Sequence, residues 1–273
     1  MKAGLTLLII FLKITCFGQQ YDLKDFVEIP SSKLDRKERE SLNRSGKFFR
    51  AEFIKGKFVI TDRQSNQTKA EYNLPYGSLW WDNRGEFGGM LYYEPKDTSI
   101  KIININGRPD TLQNYSKHWF NILYADSSVK SRLKKEQFTL HFQHCHVDAV
   151  FRYRDSLYFT EGLAHGLQSN GDIYNINLNK NGGTITKSIS LGDAYQAILV
   201  KNDKIYLVTH KGFCVINNWK KELELTNAPW EILYPDGLVM TDNNTLYTGI
   251  YGGYAKIDLQ KKSIILYKYT GKK

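Results

Sequence analysis

One short unit recurs along the second half of the chain and narrows the folds open to it. Leu157-Tyr158-Phe159-Thr160 is followed by a polar stretch with Glu161 and His165 and then by Gly171-Asp172-Ile173-Tyr174-Asn175-Ile176. Ile205-Tyr206-Leu207-Val208 leads in the same way to Gly212-Phe213-Cys214-Val215-Ile216. Thr245-Leu246-Tyr247-Thr248 leads to Gly253-Tyr254-Ala255-Lys256-Ile257. Each copy reads as a strand, a turn and a second strand. Tyr158, Tyr206 and Tyr247 mark the copies at intervals of roughly 40–50 residues, the period of stacked supersecondary repeats. No helical stretch separates the copies, which argues against a parallel βαβ arrangement.

A strand repeat of this period predicts an all-β chain built as a β-propeller. Residues 147–153, 196–201 and 237–241 precede the three marker tyrosines and are expected to be innermost strands. Two earlier units fit the same pattern. The first takes residues 48–54, 57–61 and 69–74, with a turn at Lys55-Gly56. The second takes residues 78–81, 89–93 and 100–105, followed by a hairpin signal at Asn106-Gly107. The interval from Tyr92 to Tyr158 is longer than the others and holds either an extra irregular blade or an insertion. Within it, residues 126–137 have helical character and 138–142 alternate like a strand. Five and six blades therefore both stand. Residues 21–29 read as a strand that completes the last blade and closes the ring, which removes two open edges. Residues 31–42 read as a short exposed helix, with Ser32 and Asp35 resembling a capping box.

The first 18 residues are set apart from this. Lys2, an apolar run over residues 5–12 and Cys16-Phe17-Gly18 ahead of Gln19 make a secretory signal peptide pattern. The run is too short to span a bilayer, which takes about 20 residues. Cleavage after Gly18 is favoured over lipidation of Cys16, because Lys13 stands where an apolar residue is expected. The chain thus divides into a signal peptide (1–18), a strand and charged helix (19–46) and the propeller (47–273), and is expected to be secreted or periplasmic and monomeric. The net charge of +10 falls to +8 once Lys2 and Lys13 are removed. No run of five or six basic residues occurs, so no nucleic-acid ligand is expected. Cys145 and Cys214 fall in different units, and both are expected to be free thiols.

Several residues can carry chemistry. Registering the repeats on the marker tyrosines makes Asp148, Gln196 and Asp236 equivalent, each at the start of an innermost strand and aimed at the mouth of the channel. Such a set can hydrogen-bond a polyol or hold a hard cation such as Ca²⁺. His144 and His146 precede Asp148, with His141 just before them, and with Asp148 or His165 they can ligate Zn²⁺. Glu161 and His165 read as a loop pair with acid–base potential, and His210 stands in the corresponding loop of the next unit. Trp80 and Trp81 offer one inward and one outward ring in a strand. Gly88-Gly89 and Gly252-Gly253 are turn glycines, since no helix follows either to build an anion site.

The stretch Tyr234-Pro235-Asp236-Gly237-Leu238-Val239-Met240-Thr241-Asp242-Asn243-Asn244-Thr245-Leu246-Tyr247 resembles blades of the NHL-repeat and gluconolactonase-type propellers. That resemblance implies a metal-ligand role for Asp236, matched to the Asp of a similar Pro-Asp-Gly step. The family's partner Glu and its Asn-Gly asparagine have no counterpart here. The specific likeness covers one blade, and a looser one covers residues 48–269. The expected function is a binding or interaction module for a protein or glycan ligand at the channel mouth. A metal-dependent hydrolase or lactonase and a carbohydrate-binding lectin using Trp80 or Trp81 are the alternatives.

Overall fold

The computed structural model describes residues 19–62, 69–83, 89–96, 146–165, 168–179 and 182–271. Among them the chain is all-β apart from one α-helix and two short 3-10 turns. The N-terminal elements are β1 (Gln20–Tyr21), β2 (Phe26–Glu28) and α1 (Arg36–Asn43). Next come β3 (Phe49–Ile54), β4 (Lys57–Asp62), β5 (Lys69–Leu74), β6 (Gly77–Asn83) and β7 (Gly89–Pro95). The C-terminal half holds β8 (His146–Tyr153), β9 (Ser156–His165), β10 (Gln168–Asn179), β11 (Gly182–Ser190), β12 (Tyr195–Lys201), β13 (Lys204–Thr209), β14 (Phe213–Asn217) and β15 (Lys220–Leu225). It ends with β16 (Asp236–Asp242), β17 (Thr245–Ile250), β18 (Gly253–Asp258) and β19 (Ser263–Tyr269).

These strands form antiparallel meanders: β5 to β7, β8 to β11, β12 to β15, and β16 to β19 with β2 added at the end, beside a three-stranded sheet β1-β4-β3. The turns explain the local regularity. Lys55-Gly56, Arg154-Asp155, Asn202-Asp203 and Asn218-Trp219 each put two successive residues at positive φ. That geometry matches the right-handed twist of hairpin strands. In the third and fourth sheets such a turn, Arg154-Asp155 and Asn202-Asp203, leads into the first strand of the repeated unit, β9 and β13.

Apolar clusters fill the spaces between successive sheets. Leu79 and Leu91 meet Val147 and Phe159. Phe151 and Ile173 meet Leu207 and Ile216. Val208 and Phe213 meet Met240 and Ile257. Phe49 and Ile60 meet Val239 and Tyr254. Strands buried on both faces lose the alternating pattern, which is why β14 is apolar at every position from Phe213 to Ile216. The first strands of the sheets stand beside one another, β3 against β16, β16 against β12 and β12 against β8, with β6 also beside β8. Sheets one and five approach closely enough to exclude a side chain at two glycines. A Cβ on Gly249 would stand 2.1 Å from the Phe49 carbonyl oxygen, and one on Gly237 (φ 69) would stand 2.3 Å from that of Ala51.

Several sequence expectations are corrected. Residues 69–74 do not complete the first sheet. Pro75-Tyr76 turns β5 straight back into β6, with Leu74 paired to Gly77, and the third place in the first sheet goes to β1, where Tyr21 pairs with Ile60. Residues 21–29 are not one strand. The Asp22 carboxylate accepts the Lys24 N–H at 3.0 Å, and the 3-10 turn Leu23–Asp25 splits the segment. Its second part, β2, pairs with β19 through Phe26 and Tyr269, so the N-terminal strand does add to the last sheet. The helix is capped by Asp35, which accepts the Glu38 N–H at 2.8 Å, and not by Ser32. It is not simply exposed either, because Leu42 is 1% exposed and Asn43 Nδ2 donates to the Ile232 carbonyl at 2.9 Å. Cys214 is free and buried, and burial pushes its thiol up to about 12. Cys145, residues 100–107 and residues 126–142 lie outside the described residues.

Candidate ligand site where the inner strands begin

The three positions that the repeat register makes equivalent share a backbone feature. Pairing shifts between Val147 and Val150 in β8, between Tyr195 and Ala197 in β12, and between Asp236 and Val239 in β16. Asp148, Gln196 and Asp236 thus lie at or beside a β-bulge at the start of a first strand. Bulges re-aim the side chains next to them and recur beside sites. Gln196 is half-buried. Asp236 has a side chain 15% exposed, with Arg50 Nη1 3.5 Å from its Oδ1. Arg50 comes from β3, so this ion pair ties the first sheet to the last.

The turns at the same end are held from below by one carboxylate. Asp193 accepts the Lys211 N–H at 2.6 Å, the Ser169 hydroxyl and the Ala194 N–H at 3.0 Å. His210 sits in the turn closed by the Thr209 N–H on the Gly212 carbonyl at 2.8 Å, and its own N–H donates to Ala194 at 2.7 Å. This brings the His210 backbone beside the strand start that carries Gln196. Aromatic rings gather ahead of β3 and β16 and after β17. Tyr251 stacks on Phe48 at 4.4 Å and 5°, and Tyr234 meets Tyr251 edge-on at 6.0 Å. Tyr234 is 49% exposed.

Glu161 belongs elsewhere, and the expectation of a loop is corrected. It lies within β9, directly opposite Asp172 in β10, because the two strands stay paired up to His165 and Gln168. Its described partners are Tyr174, Asp172 and Lys187. The Tyr174 hydroxyl lies 3.2 Å from Asp172 and also bonds Glu161, while Lys187 Nζ stands 2.6 Å from Asp172. Burial raises the Glu161 carboxyl above its ordinary value, the Tyr174 hydroxyl pulls it down, the Asp172 charge raises it and Lys187 lowers it. Burial and the Glu161 charge likewise push the Tyr174 hydroxyl up.

A pH prediction follows with a definite sign. A carboxyl raised in the folded state contributes stability that is full below its unfolded value of 4.5 and is lost as pH rises through the folded value. Glu161→Gln mimics the protonated form and keeps the Tyr174 bond. The variant is expected to melt above the parent at pH 7 and to lose that advantage near pH 4, as read by thermal melts across pH. A lower melting point at pH 7 would show that the attraction to Lys187 outweighs burial.

His144 lies outside the described residues, as do the side chains of His146, Asp148 and His165. Among the described residues no three His, Cys, Asp or Glu side chains gather as a metal set. The cation beside Asp236 is the Arg50 guanidinium, so the described residues around Asp236 do not fit the metal implied by the gluconolactonase-type resemblance. Trp80 and Trp81 are both half-buried, and Trp81 packs on the cluster of Leu79 and Phe159. Arg50, Asp193, Phe48, Tyr234 and Tyr251 make the contacts around these strand starts without having been singled out as site residues in the sequence. Their signal in the sequence is position: Phe48 and Arg50 stand at or just before β3, Tyr234 stands beside the Pro235-Asp236-Gly237 step, Tyr251 follows β17 and Asp193 precedes β12.

No family profile matches the chain. A search of curated proteins gives no match. A solved structure of a luciferin-regenerating enzyme superposes with a TM-score of 0.40 at 12% identity, over 79% of this chain and 67% of that one.

Proposed function

We propose that the chain is an exported β-propeller that acts as a binding module, with its ligand seated where the inner strands begin. The sheets are its blades, and β2 on β19 is the closing strand. The meander order of the sheets, their face-to-face cores and the side-by-side first strands support this architecture. The observation that carries the binding role is the bulge repeated at Asp148, Gln196 and Asp236. Bulges bend a strand and recur beside binding sites, and here one stands near a polar residue at the start of a first strand in three sheets. Loops and strand starts of successive blades converge at one end of such a ring, which is where ligands of rigid scaffolds bind. Among the described residues no helix is long and apolar enough to cross a membrane. Export rests on Lys2, the apolar run over residues 5–12 and the small residues before Gln19.

Two measurements test this reading. Protein recovered from an exporting host is expected to begin at Gln19 by mass spectrometry, and an intact Met1 overturns export. Hydrogen exchange with and without a pool of soluble glycans and peptides is expected to show protection at residues 48–50, 194–196, 209–212 and 234–237. Protection confined to other surfaces, or none, removes the strand-start end as the site.

A further inference from the structure

The N-terminal segment that joins the first and last sheets packs over a carboxylate that is only half answered. Asp62 ends β4 and is half-buried. The Tyr21 hydroxyl donates to its Oδ2 at 2.8 Å, while its Oδ1 is buried and accepts no hydrogen bond. A buried acceptor without a donor has lost its hydration and gained nothing in return, and a charged one loses most. Lys47 Nζ does not supply the missing bond. It stands 3.5 Å from the Tyr21 hydroxyl and over the rings of Tyr21 and Tyr269.

Strand β1 brings a second nitrogen to the same place. Gln20 pairs with Thr61, and the Asp62 N–H donates to the Gln19 carbonyl at 3.2 Å. Residues 19 and 62 therefore stand opposite each other in the hydrogen-bonded kind of antiparallel pair, in which each backbone nitrogen is directed at the other residue. While residues 1–18 are attached, the Gln19 nitrogen is a neutral amide. Cleavage after Gly18 turns it into an ammonium, since an α-amine is mostly protonated at pH 7.

We infer that the ammonium freed at Gln19 pairs with the Asp62 carboxylate, so that removal of the signal peptide clasps the closing segment onto the first sheet; this rests on the export reading above. A charge-assisted hydrogen bond to a carboxylate is stronger than the neutral amide contact it replaces. The same segment joins the last sheet through Phe26 and Tyr269, so fastening β1 to β4 also fastens the junction of the first and last sheets. The precursor lacks the pair, and its closing segment opens more easily.

The test compares the thermal melting of three forms of the chain at pH 7. One begins at Gln19 with a free amine, one carries Gly-Ser ahead of Gln19, and in one a glutaminyl cyclase has closed the amine onto the Gln19 side-chain amide. That closure forms a bond from the α-nitrogen to Cδ and releases ammonia, so it removes the charge and adds no atoms; intact mass identifies each form. The free form is expected to melt at least about 2 °C above the other two. Asp62→Asn keeps an acceptor for the Tyr21 hydroxyl and is expected to erase both differences while circular dichroism stays parental. Equal melting of the free and cyclised forms, or a difference that survives Asp62→Asn, overturns the inference. The termini are fixed before the melts, so a failure of export reads separately. An intact Met1 from the exporting host removes the processing step, whereas equal melts remove the ion pair.

Discussion

Trp230→Ala is expected to lower the unfolding free energy by about 3–5 kcal/mol from the lost ring and its cavity, with about 1 kcal/mol more from a lost hydrogen bond. Trp230 is 0% exposed, the bulkiest side chain among those fully buried. It lies in the connection between β15 and β16, where Leu42 of α1, Val208 and Phe213 of the fourth sheet and Ile250 of the last share one cluster. Its Nε1 donates to the Thr209 carbonyl at 3.0 Å, which also anchors the end of β13 just before the His210 turn. Denaturant melts followed by circular dichroism read the loss. Trp230→Phe retains most of the apolar area and is expected to cost well under half as much, separating packing from the hydrogen bond. A loss below about 1 kcal/mol for the alanine variant would mean that the cluster relaxes around the cavity.

Deleting residues 20–28 is expected to turn the protein from a single soluble species into aggregates on size-exclusion chromatography. Two effects add. The deletion leaves β4 and β19 with open backbone edges, which are templates for pairing with another chain. It also removes Tyr21 and Phe26, whose rings sit 5.1 and 5.3 Å from Phe49 and whose neighbours include Tyr254 and Tyr269. Lys47 Nζ lies 4.3 Å from the Tyr269 ring centre and 5.1 Å from that of Tyr21, so the segment carries a cation–π contact as well. Phe26→Ala alone is expected to cost about 3–5 kcal/mol. Tyr21→Ala adds less than its single value, because the two rings touch and their effects couple. A truncated protein that stays monodisperse and melts with the parent would show that the ends of the chain do not hold the first and last sheets together.

The units at Tyr158, Tyr206 and Tyr247 were legible because a hairpin is local. Its strands, turn residues and register lie within a few positions of one another, and Asn202-Asp203 needs no distant partner to take its two left-handed conformations. The grouping of Asp148, Gln196 and Asp236 followed from the same periodicity; in the pairing Asp148 and Gln196 fall inside a register shift, whereas Asp236 is the paired residue just before one, the place that Val147 and Tyr195 hold in the other two sheets. Glu161 was misplaced for a physical reason. A polar stretch between two apolar runs reads as a loop, yet Glu161 and Asp172 face one another across a continuous ladder. Polar residues remain in a strand when a hydroxyl and an ammonium answer them, and Tyr174 and Lys187 do so here.

What the sequence by itself determined is the set of short strands, the Lys55-Gly56 turn and a polar residue near the start of three first strands. These depend on backbone preferences and side-chain alternation over a few residues. Only the tertiary structure decided which strands pair across the length of the chain. The N-terminal segment joins the last sheet as its position suggested, Phe26 beside Tyr269, but it is divided, and Tyr21 goes to the first sheet beside Ile60, while residues 69–74 turn into the second sheet and not the first. It also decided that Leu42 is core, that Arg50 meets Asp236 and that burial raises the Glu161 carboxyl. Such outcomes depend on what packs against a residue from elsewhere in the chain, and local pattern holds no information about that neighbour.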